Sequence, residues 1–228
     1  SVCVSITRRT LQPMLKVTEQ IGFAIQAAAR PKIAMNQAWG LYPGGGLISR
    51  SLPINLGDPA PDRRVVVVIS MCDGERRSFN GTPTLDGVPM TPLFEVGNSY
   101  QPSGVWIINR PDGATTGTLF FTANAGNMDG QAVVAMSLYG ASQILPAFSI
   151  QPGKNAATID WPGTKVLGVW FNWQSGTPVM PAPWDVLVNN LHTQGNTTVA
   201  MLDMDSAFNL PAWSAPYYWA SFFAAWQA

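Results

Sequence analysis

The segment "RRVVVVISM", residues 63–71, constrains the fold of this chain more than any other stretch. It contains five consecutive β-branched residues, which are stiff at χ1 and pack best on the pleated surface of a sheet. Because these apolar residues do not alternate with polar ones, we expect both faces of the strand to be buried. The segment therefore predicts a strand in a sheet that is covered on both sides.

Further strand-like segments follow at a spacing of roughly ten residues, without helical segments between them. Turn signals separate them, and Asp86-Gly87 has the spacing of a two-residue hairpin turn. The expected strands include residues 105–109 and 118–122 and the segments "QAVVAMSLYGA", "ATIDW", "KVLGVWFNW" and "TTVAML". This series predicts an all-β fold, an antiparallel β-sandwich of jelly-roll type.

The charge content restricts the class of partner. Only 11% of the residues are charged, with 13 basic and 13 acidic side chains, so no net field attracts nucleic acid or an anionic membrane surface. No apolar run reaches the eighteen or so residues that a membrane helix needs. We therefore expect neither nucleic acid nor membrane as a partner. A weakly charged surface at net zero favours association, which predicts binding to copies of the same chain.

The two cysteines and the N-terminus bear on the compartment in which the chain folds. Cys3 and Cys72 are too few for a disulfide framework or a tetrahedral metal site, which leaves a single bridge or two thiols as alternatives. The first residues lack the basic region and apolar block of a secretory signal. The sequence therefore predicts folding in the cytoplasm.

Residues that could perform catalysis are sparse. His192 is the one histidine and lies in the polar segment "NNLHTQGN", and no GxSxG nucleophile motif occurs. Close carboxylate pairs could bind Ca²⁺ or cleave a glycoside, but none has the spacing of a calcium loop. These pairs are Asp58 with Asp62, Asp73 with Glu75, and Asp203 with Asp205. We expect no enzymatic activity, no cofactor and no metal.

Tryptophan supports an alternative function. Flat aromatic rings can stack on sugars, and the candidates for such a platform are Trp170, Trp173 and Trp184. A core role competes with this one, because Trp170 lies within a strongly apolar strand. A carbohydrate-binding module is therefore the alternative to a structural protein, and exposed, coplanar rings would favour it.

The chain ends in an unusually aromatic segment. Trp219, Phe222, Phe223 and Trp226 follow i, i+3, i+4, i+7 spacing, which predicts a short helix with one aromatic face. That face would either pack on the chain's own sandwich or dock on a neighbouring subunit, where aromatic anchors dominate the binding energy. The candidate interface residues are Trp213, Tyr217, Tyr218, Trp219, Phe222, Phe223 and Trp226.

The segments "GDPAPDRRVVVVIS", "TPTLDGVPMTPL", "GVWIINRPDGATTGTLFFT" and "QAVVAMSLYGA" together carry a resemblance. This stretch, residues 57–141, resembles the β-sandwich domains of structural proteins from tailed bacteriophages and related particles. The resemblance implies a non-enzymatic virion component, such as a capsid decoration, head fibre or tail protein, made in the host cytoplasm. It also implies docking on copies of itself and on other virion structural proteins, with a host glycan as a further partner in the carbohydrate-binding alternative.

These expectations divide the chain into three parts. Residues 1–56 are expected to form an N-terminal arm or adapter, in which residues 14–30 fit either a helix or a strand. Residues 57–212 are expected to form the β-sandwich, and residues 213–228 the aromatic C-terminal helix or tail.

Overall fold

The computed structural model describes residues 32–35, 48–72, 74–111, 113–124, 130–146, 148–150, 157–159, 164–172, 184–192, 195–204, 208–210 and 218–226. Every regular element in these ranges is a β-strand, and every strand pair is antiparallel, which confirms the all-β class. In this described part of the chain, no helix has the length and apolar character needed to cross a membrane.

The strands fall into two consecutive series. The first comprises β1 (Lys32–Met35), β2 (Ser49–Asn55), β3 (Arg64–Cys72), β4 (Thr84–Leu85), β5 (Val88–Pro89), β6 (Thr91–Val96), β7 (Ser103–Asn109), β8 (Thr116–Thr122) and β9 (Gly130–Tyr139). The second comprises β10 (Phe148–Ile150), β11 (Ala157–Ile159), β12 (Thr164–Asn172), β13 (Asp185–His192), β14 (Gly195–Met204), β15 (Phe208–Leu210) and β16 (Tyr218–Trp226).

These strands form three sheets and a ribbon. The central sheet has the order β1-β9-β3-β7-β6, the outer sheet β2-β8-β4-β5 and the C-terminal sheet β10-β16-β12-β14-β13, while β11 and β15 form the ribbon. The central sheet contributes to two apolar cores, one on each face. The described layers are thus consistent with β-sandwich packing on both sides of one sheet.

The buried strand predicted at residues 63–71 is β3. Its side chains from Val65 to Cys72 are all buried, which confirms the expectation that both faces are covered. Alternate residues enter different cores because successive side chains of a strand point to opposite faces. The shared core, between the central and C-terminal sheets, contains Val66, Val68, Val105, Ile107, Val134, Met136, Leu167, Val169, Phe171, Val199, Phe222, Ala224 and Trp226. The outer core, between the central and outer sheets, contains Val65, Val67, Ile69, Met71, Trp106, Val133, Ile54, Leu85, Leu119 and Phe121.

The second series of strands repeats the pairing scheme of the first. In the first unit, β1 to β9, the strands pair in nested order as β1·β9, β2·β8 and β3·β7. In the second unit, β10 to β16, the nested pairs are β10·β16, β11·β15 and β12·β14. An extra strand joins each innermost pair, since β6 pairs with β7 and β13 pairs with β14. The described strands therefore contain an internal structural repeat.

The register of the repeat agrees at the level of single residues. In the β6–β7 pair, the register shifts between Pro92 and Phe94, which lie opposite Trp106 and Val105. In the β13–β14 pair, it shifts between Val186 and Val188, which lie opposite Ala200 and Val199. Each edge strand thus carries its bulge at the equivalent position. The short sequence echo "GVWI" and "GVWF" lies in β7 and β12, which are not equivalent strands, so it is not the signature of the repeat.

The two-residue turn predicted at Asp86-Gly87 is confirmed. It joins β4 to β5, with Leu85 paired to Val88, and its two residues have φ angles of 50° and 79°. Positive φ at both central positions is the requirement of the type I′ hairpin turn, and Asp-Gly meets it readily. This hairpin extends the outer sheet of the first unit.

The C-terminal helix predicted from aromatic spacing is wrong for residues 218–226, because these residues form strand β16. The strand pairs with β10 on one edge and with β12 on the other. Its residues 220–226 are all buried, so both faces of the strand are covered and large apolar residues occupy consecutive positions. A continuous apolar run of this kind is compatible with both the helical and the strand spacing of apolar residues. Pairing with β10 and β12 makes these residues a strand.

The two ends of the chain contribute strands to the same sheets as its middle. β1 and β2 come from the range expected to be an arm, and they pair with β9 and β8. The helix or strand considered for residues 14–30 lies outside the described residues.

Candidate functional site

Three of the candidate interface aromatics lie inside the chain's own core. Phe222 and Trp226 enter the shared core, and Phe223 is buried on the opposite face of β16. Tyr218 and Trp219 also belong to β16, but their side chains, like Trp213 and Tyr217, lie outside what the structure describes. The segment was expected either to pack on the chain's own sandwich or to dock on a neighbouring subunit. Its described side chains pack within the chain.

Aromatic contacts tie β16 to the first unit. The rings of Phe94 and Phe222 stack with centroids 5.5 Å apart, and Phe94 also stacks on Phe171 at 5.9 Å. Trp226 Nε1 donates a hydrogen bond of 3.2 Å to the carbonyl oxygen of Ile144, in the segment between the two units. Because aromatic pairs of this kind add to the energy of area burial, β16 is a main stabilising element of the fold.

Two of the three candidate sugar-stacking tryptophans also belong to an interior cluster. Trp170 packs edge-on against Trp184 and Phe223, with centroid distances of 5.3 and 5.0 Å. All three side chains are buried, and the Trp170 ring meets both neighbours nearly at right angles. Trp173 lies outside the described residues. The geometry at Trp170 and Trp184 therefore favours a core role over an exposed stacking platform.

The internal repeat explains why these tryptophans are buried. Trp184 directly precedes β13, as Met90 directly precedes the equivalent strand β6, and Met90 is buried in the outer core. Trp170 lies on the face of β12 that points away from the shared core, as Ile69 does in β3. The tryptophans thus occupy positions that are interior in the first unit.

The carboxylate pairs do not form a described acid–base or calcium site. The Asp62 carboxylate accepts the backbone N–H of Gly140, and Glu75 forms an ion pair of 2.7 Å with Arg77. Asp58 contributes its backbone carbonyl to the Tyr139 hydroxyl at 2.9 Å. Of the other pairs, Asp203 lies in β14, while Asp73 and Asp205 lie outside the described residues.

The remaining candidate residues are placed by strands. His192 ends β13 and pairs with Gly195 across the hairpin to β14. Cys72 is buried at the end of β3, and Cys3 lies outside the described residues. Within the described ranges, His, Cys, Asp and Glu side chains form no group of three that could hold a metal ion.

Arg63 is a buried side chain that sequence reasoning did not single out. Its guanidinium donates to the carbonyl oxygens of Arg110 at 2.6 Å, Gly57 at 2.8 Å and Ala114 at 2.7 Å. These carbonyls belong to the loops that precede β3 and connect β7 to β8. Because a guanidinium presents five donors in a fixed plane, one arginine can hold both loops. The one sequence feature that could have indicated a buried arginine is the pair Arg63-Arg64 directly before the apolar run of β3.

The neighbouring Arg64 closes the same end of the central sheet. Its guanidinium donates to the carbonyl oxygen of Ala141 at 2.6 Å and of Asp62 at 3.2 Å. Burial lowers the pKa of Arg64, and the Asp62 carboxylate opposes that shift by stabilising the charge. The segment 57–64 is thus held in place by hydrogen bonds from the Arg63 and Arg64 guanidinium groups to backbone carbonyls, and it does not form an open acidic site.

The solvent side of the outer sheet is a regular surface formed by four described strands, β2, β8, β4 and β5, and we call it the outer face. Its residues alternate with those of the outer core along β2 and β8. None of them is charged. The outer face consists of Ser49, Ser51, Pro53, Asn55, Thr84, Pro89, Thr116, Thr118, Phe120 and Thr122.

Phe120 is the one aromatic residue of the outer face, and 42% of it is exposed. It lies opposite Ser51 in β2 and opposite Thr84 in β4. A second hydroxyl pair lies further along β8, where Ser49 Oγ donates to Thr122 Oγ1 at 3.0 Å. The outer face thus presents an aromatic ring surrounded by hydroxyl groups.

Asp86 fixes the hairpin that borders the outer face. Its carboxylate accepts the backbone N–H of Thr118 at 2.7 Å, and its own N–H donates to the Thr118 carbonyl at 2.8 Å. Arg110 forms an ion pair with the same carboxylate. The nearest charges are therefore paired with each other, and the hairpin is held against β8.

Comparisons of this chain with protein-family models, with curated proteins and with solved structures give no match.

Proposed function

We propose that this chain is a non-enzymatic structural protein of a bacteriophage particle, built from two sandwich units of jelly-roll type, that acts by assembling with copies of itself. The observation that carries the proposal is the nested strand pairing, which occurs twice along the chain. Jelly rolls are an architecture of viral capsid domains, which supports a role in a particle shell or one of its appendages.

The strand order of the first unit supports the jelly-roll type. The series β1-β9-β3-β7 forms one sheet, and β2-β8-β4-β5 forms the sheet that faces it across the outer core. In this arrangement an antiparallel ribbon is rolled up, so that strands equally far from its bend become neighbours. Strand β6 extends the first sheet at its edge.

The packing of the two units supports a role in assembly. The shared core is formed by equivalent residues, since Val66 and Val68 of β3 meet the sheet that carries Leu167 and Val169 of β12. Contact through equivalent faces is the geometry of a symmetric dimer, here joined in one chain. This contact is of the kind that self-assembly uses, because the face of one unit binds the equivalent face of a second unit of the same type.

The edge strand β13 is the contact that the structure favours for assembly. At the equivalent edge of the first unit, Pro92 lacks the N–H needed for strand pairing, which protects that edge. β13 carries Val186 at the same position, and Val186 is 42% exposed. Among the described strands, β13 pairs with β14 alone. We assign β13 to contact with a neighbouring copy.

The test is electron microscopy of the purified full chain, with Val186→Lys as the variant and Val88→Lys as the control. Val88 is 47% exposed and lies in the β4–β5 hairpin, away from the β13 edge. We expect regular assemblies for the unaltered chain and for Val88→Lys, and dispersed particles for Val186→Lys, because a lysine blocks edge pairing. Equal assembly of both variants would reject β13 as the contact, and absence of any regular assembly would reject the structural role.

A further inference from the structure

The outer face has no part in the proposed assembly through β13, and its composition indicates a ligand of its own. We propose that the outer face binds a neutral carbohydrate, with Phe120 stacking on a sugar ring and the neighbouring hydroxyls binding its oxygens. This proposal does not depend on the particle role, because it concerns another sheet of the molecule.

The first argument is the arrangement around Phe120. Ser51, Phe120 and Thr84 form one row across three neighbouring strands, and Pro89 continues the row on β5. Directly opposed residues of antiparallel strands have Cβ atoms about 5 Å apart, so both hydroxyls lie beside the aromatic ring. The row thus offers a flat apolar centre with a polar group on either side, at the scale of one sugar ring.

The second argument is chemical complementarity. A sugar ring has a face of C–H groups and a rim of hydroxyls. The face of an aromatic ring carries partial negative charge and attracts C–H groups, while serine and threonine hydroxyls both donate and accept hydrogen bonds. Asn55 adds an exposed amide, and Thr116 and Thr118 add exposed hydroxyls along β8. These groups suit a polyhydroxylated ligand.

The absence of charge on the outer face selects a neutral ligand. None of the outer-face residues is Lys, Arg, Asp or Glu. The bordering Arg110 and Asp86 are paired with each other. Anionic sugars and phosphate groups bind through arginine or lysine, which this surface does not offer. The charge of the outer face therefore matches a neutral glycan.

Most of the outer face also disfavours a protein partner. Protein interfaces are enriched in aromatic residues, Met and Arg and depleted of Ser, and Ser and Thr are rare among residues that dominate binding energy. Phe120 is the one outer-face residue of an enriched type. Six residues of the outer face are Ser or Thr: Ser49, Ser51, Thr84, Thr116, Thr118 and Thr122. Burying these hydroxyls against another protein would require a partner for each of them.

The outer face is also preorganised. The Asp86 contacts hold the hairpin on β8, and Leu85, Leu119 and Phe121 fix the underside of the sheet in the outer core. A ligand therefore meets a rigid surface and does not have to order a loop, which lowers the entropic cost of binding.

The test is titration of the full chain with four soluble neutral glycans, namely dextran, mannan, galactan and N-acetylated chito-oligosaccharide, with anionic alginate as the comparison. We expect at least one neutral glycan to bind and alginate not to bind. Phe120→Ala should lower the affinity about tenfold or more, because it removes the stacking ring. The control is Tyr100→Ala, which removes an aromatic of similar exposure, 38%, from the β6–β7 loop of the central sheet and should leave the affinity unchanged.

Three results would overturn the proposal. These are no binding of any of the four neutral glycans, equal affinity for Phe120→Ala and the unaltered chain, and a loss of self-association in Phe120→Ala without a loss of sugar binding. Circular dichroism of each variant checks that the fold is retained, and Ser51→Ala provides a milder second variant, expected to weaken binding by loss of one hydroxyl.

Discussion

At the scale of single residues, Gly104 shows how closely the central sheet is packed. A Cβ atom at this position would lie 2.4 Å from Trp106 Cη2 and 2.7 Å from the backbone oxygen of Phe94. The Trp106 ring therefore lies over its own strand at the point where the side chain is missing. Gly168 repeats this arrangement, with Trp170 Cη2 at 2.4 Å from the added atom.

We predict that Gly104→Ala lowers the free energy of unfolding by about 1–3 kcal/mol, because the backbone oxygen of Phe94 cannot move away without disturbing the β6–β7 pair. The matched control is Gly74→Ala, since no atom lies within 4 Å of the added methyl group there. Urea denaturation of both variants measures the difference. Equal stability of Gly104→Ala and Gly74→Ala would show that the Trp106 ring and the Phe94 backbone do not lie as close to residue 104 as described.

Glu95 gives a prediction about pH. Glu95 is exposed at its position in β6, but partial desolvation of its carboxyl by the surrounding protein raises its pKa, so the ionised form is modestly less favourable in the folded chain than in the unfolded one. The stabilising effect of the neutral form is present below the unfolded pKa of about 4.3 and is lost as pH rises through the higher folded value. Because Glu95 is partly solvated, we predict that Glu95→Gln has a slightly higher melting temperature than the unaltered chain at pH 7, and that the difference disappears at acid pH. A difference that grows on acidification would contradict this.

At the scale of elements, β16 accounts for the aromatic end of the chain. Phe222, Ala224 and Trp226 enter the shared core, while Phe223 joins Trp170 and Trp184 on the other face. Because the strand lies between β10 and β12, its loss would divide the C-terminal sheet and expose both partners.

We predict that Phe222→Ala lowers the free energy of unfolding by about 3–5 kcal/mol, the usual cost of removing a fully buried phenylalanine. Chemical denaturation measures this difference.

Truncation after Ser214 removes β16, so it should prevent folding of the C-terminal sheet and should not yield a folded monomer. Near-ultraviolet circular dichroism reports this outcome. A truncated chain with native near-ultraviolet signal would show that β16 is dispensable.

The elements differ in how well the sequence predicted them. The valine run of β3 was predictable because both of its faces are buried, and the Asp86-Gly87 turn because few residues accept positive φ. The same lack of alternation made β16 ambiguous, since consecutive aromatics satisfy a helical period as well. The Arg63 contacts and the exposure of Phe120 depend on strand pairing between distant segments, which local patterns do not encode.

At the scale of the whole molecule, the repeat could not be found from the sequence. Equivalent positions conserve burial and pairing but not residue type, as shown by Ile69 and Trp170, or Pro92 and Val186. A strand needs only an apolar residue on its buried face, so many sequences specify the same pairing. The nested order and the matching bulges became visible only when the strands were assembled into sheets.

The self-assembly of this repeated fold is the central claim, and light scattering coupled to gel filtration of the full chain tests it most directly. The low charge of the chain, 11% of its residues, and the edge of β13, which no other described strand pairs with, predict a defined mass that is a whole multiple of the chain mass and does not change across protein concentrations. A mass equal to one chain at every concentration would contradict the account.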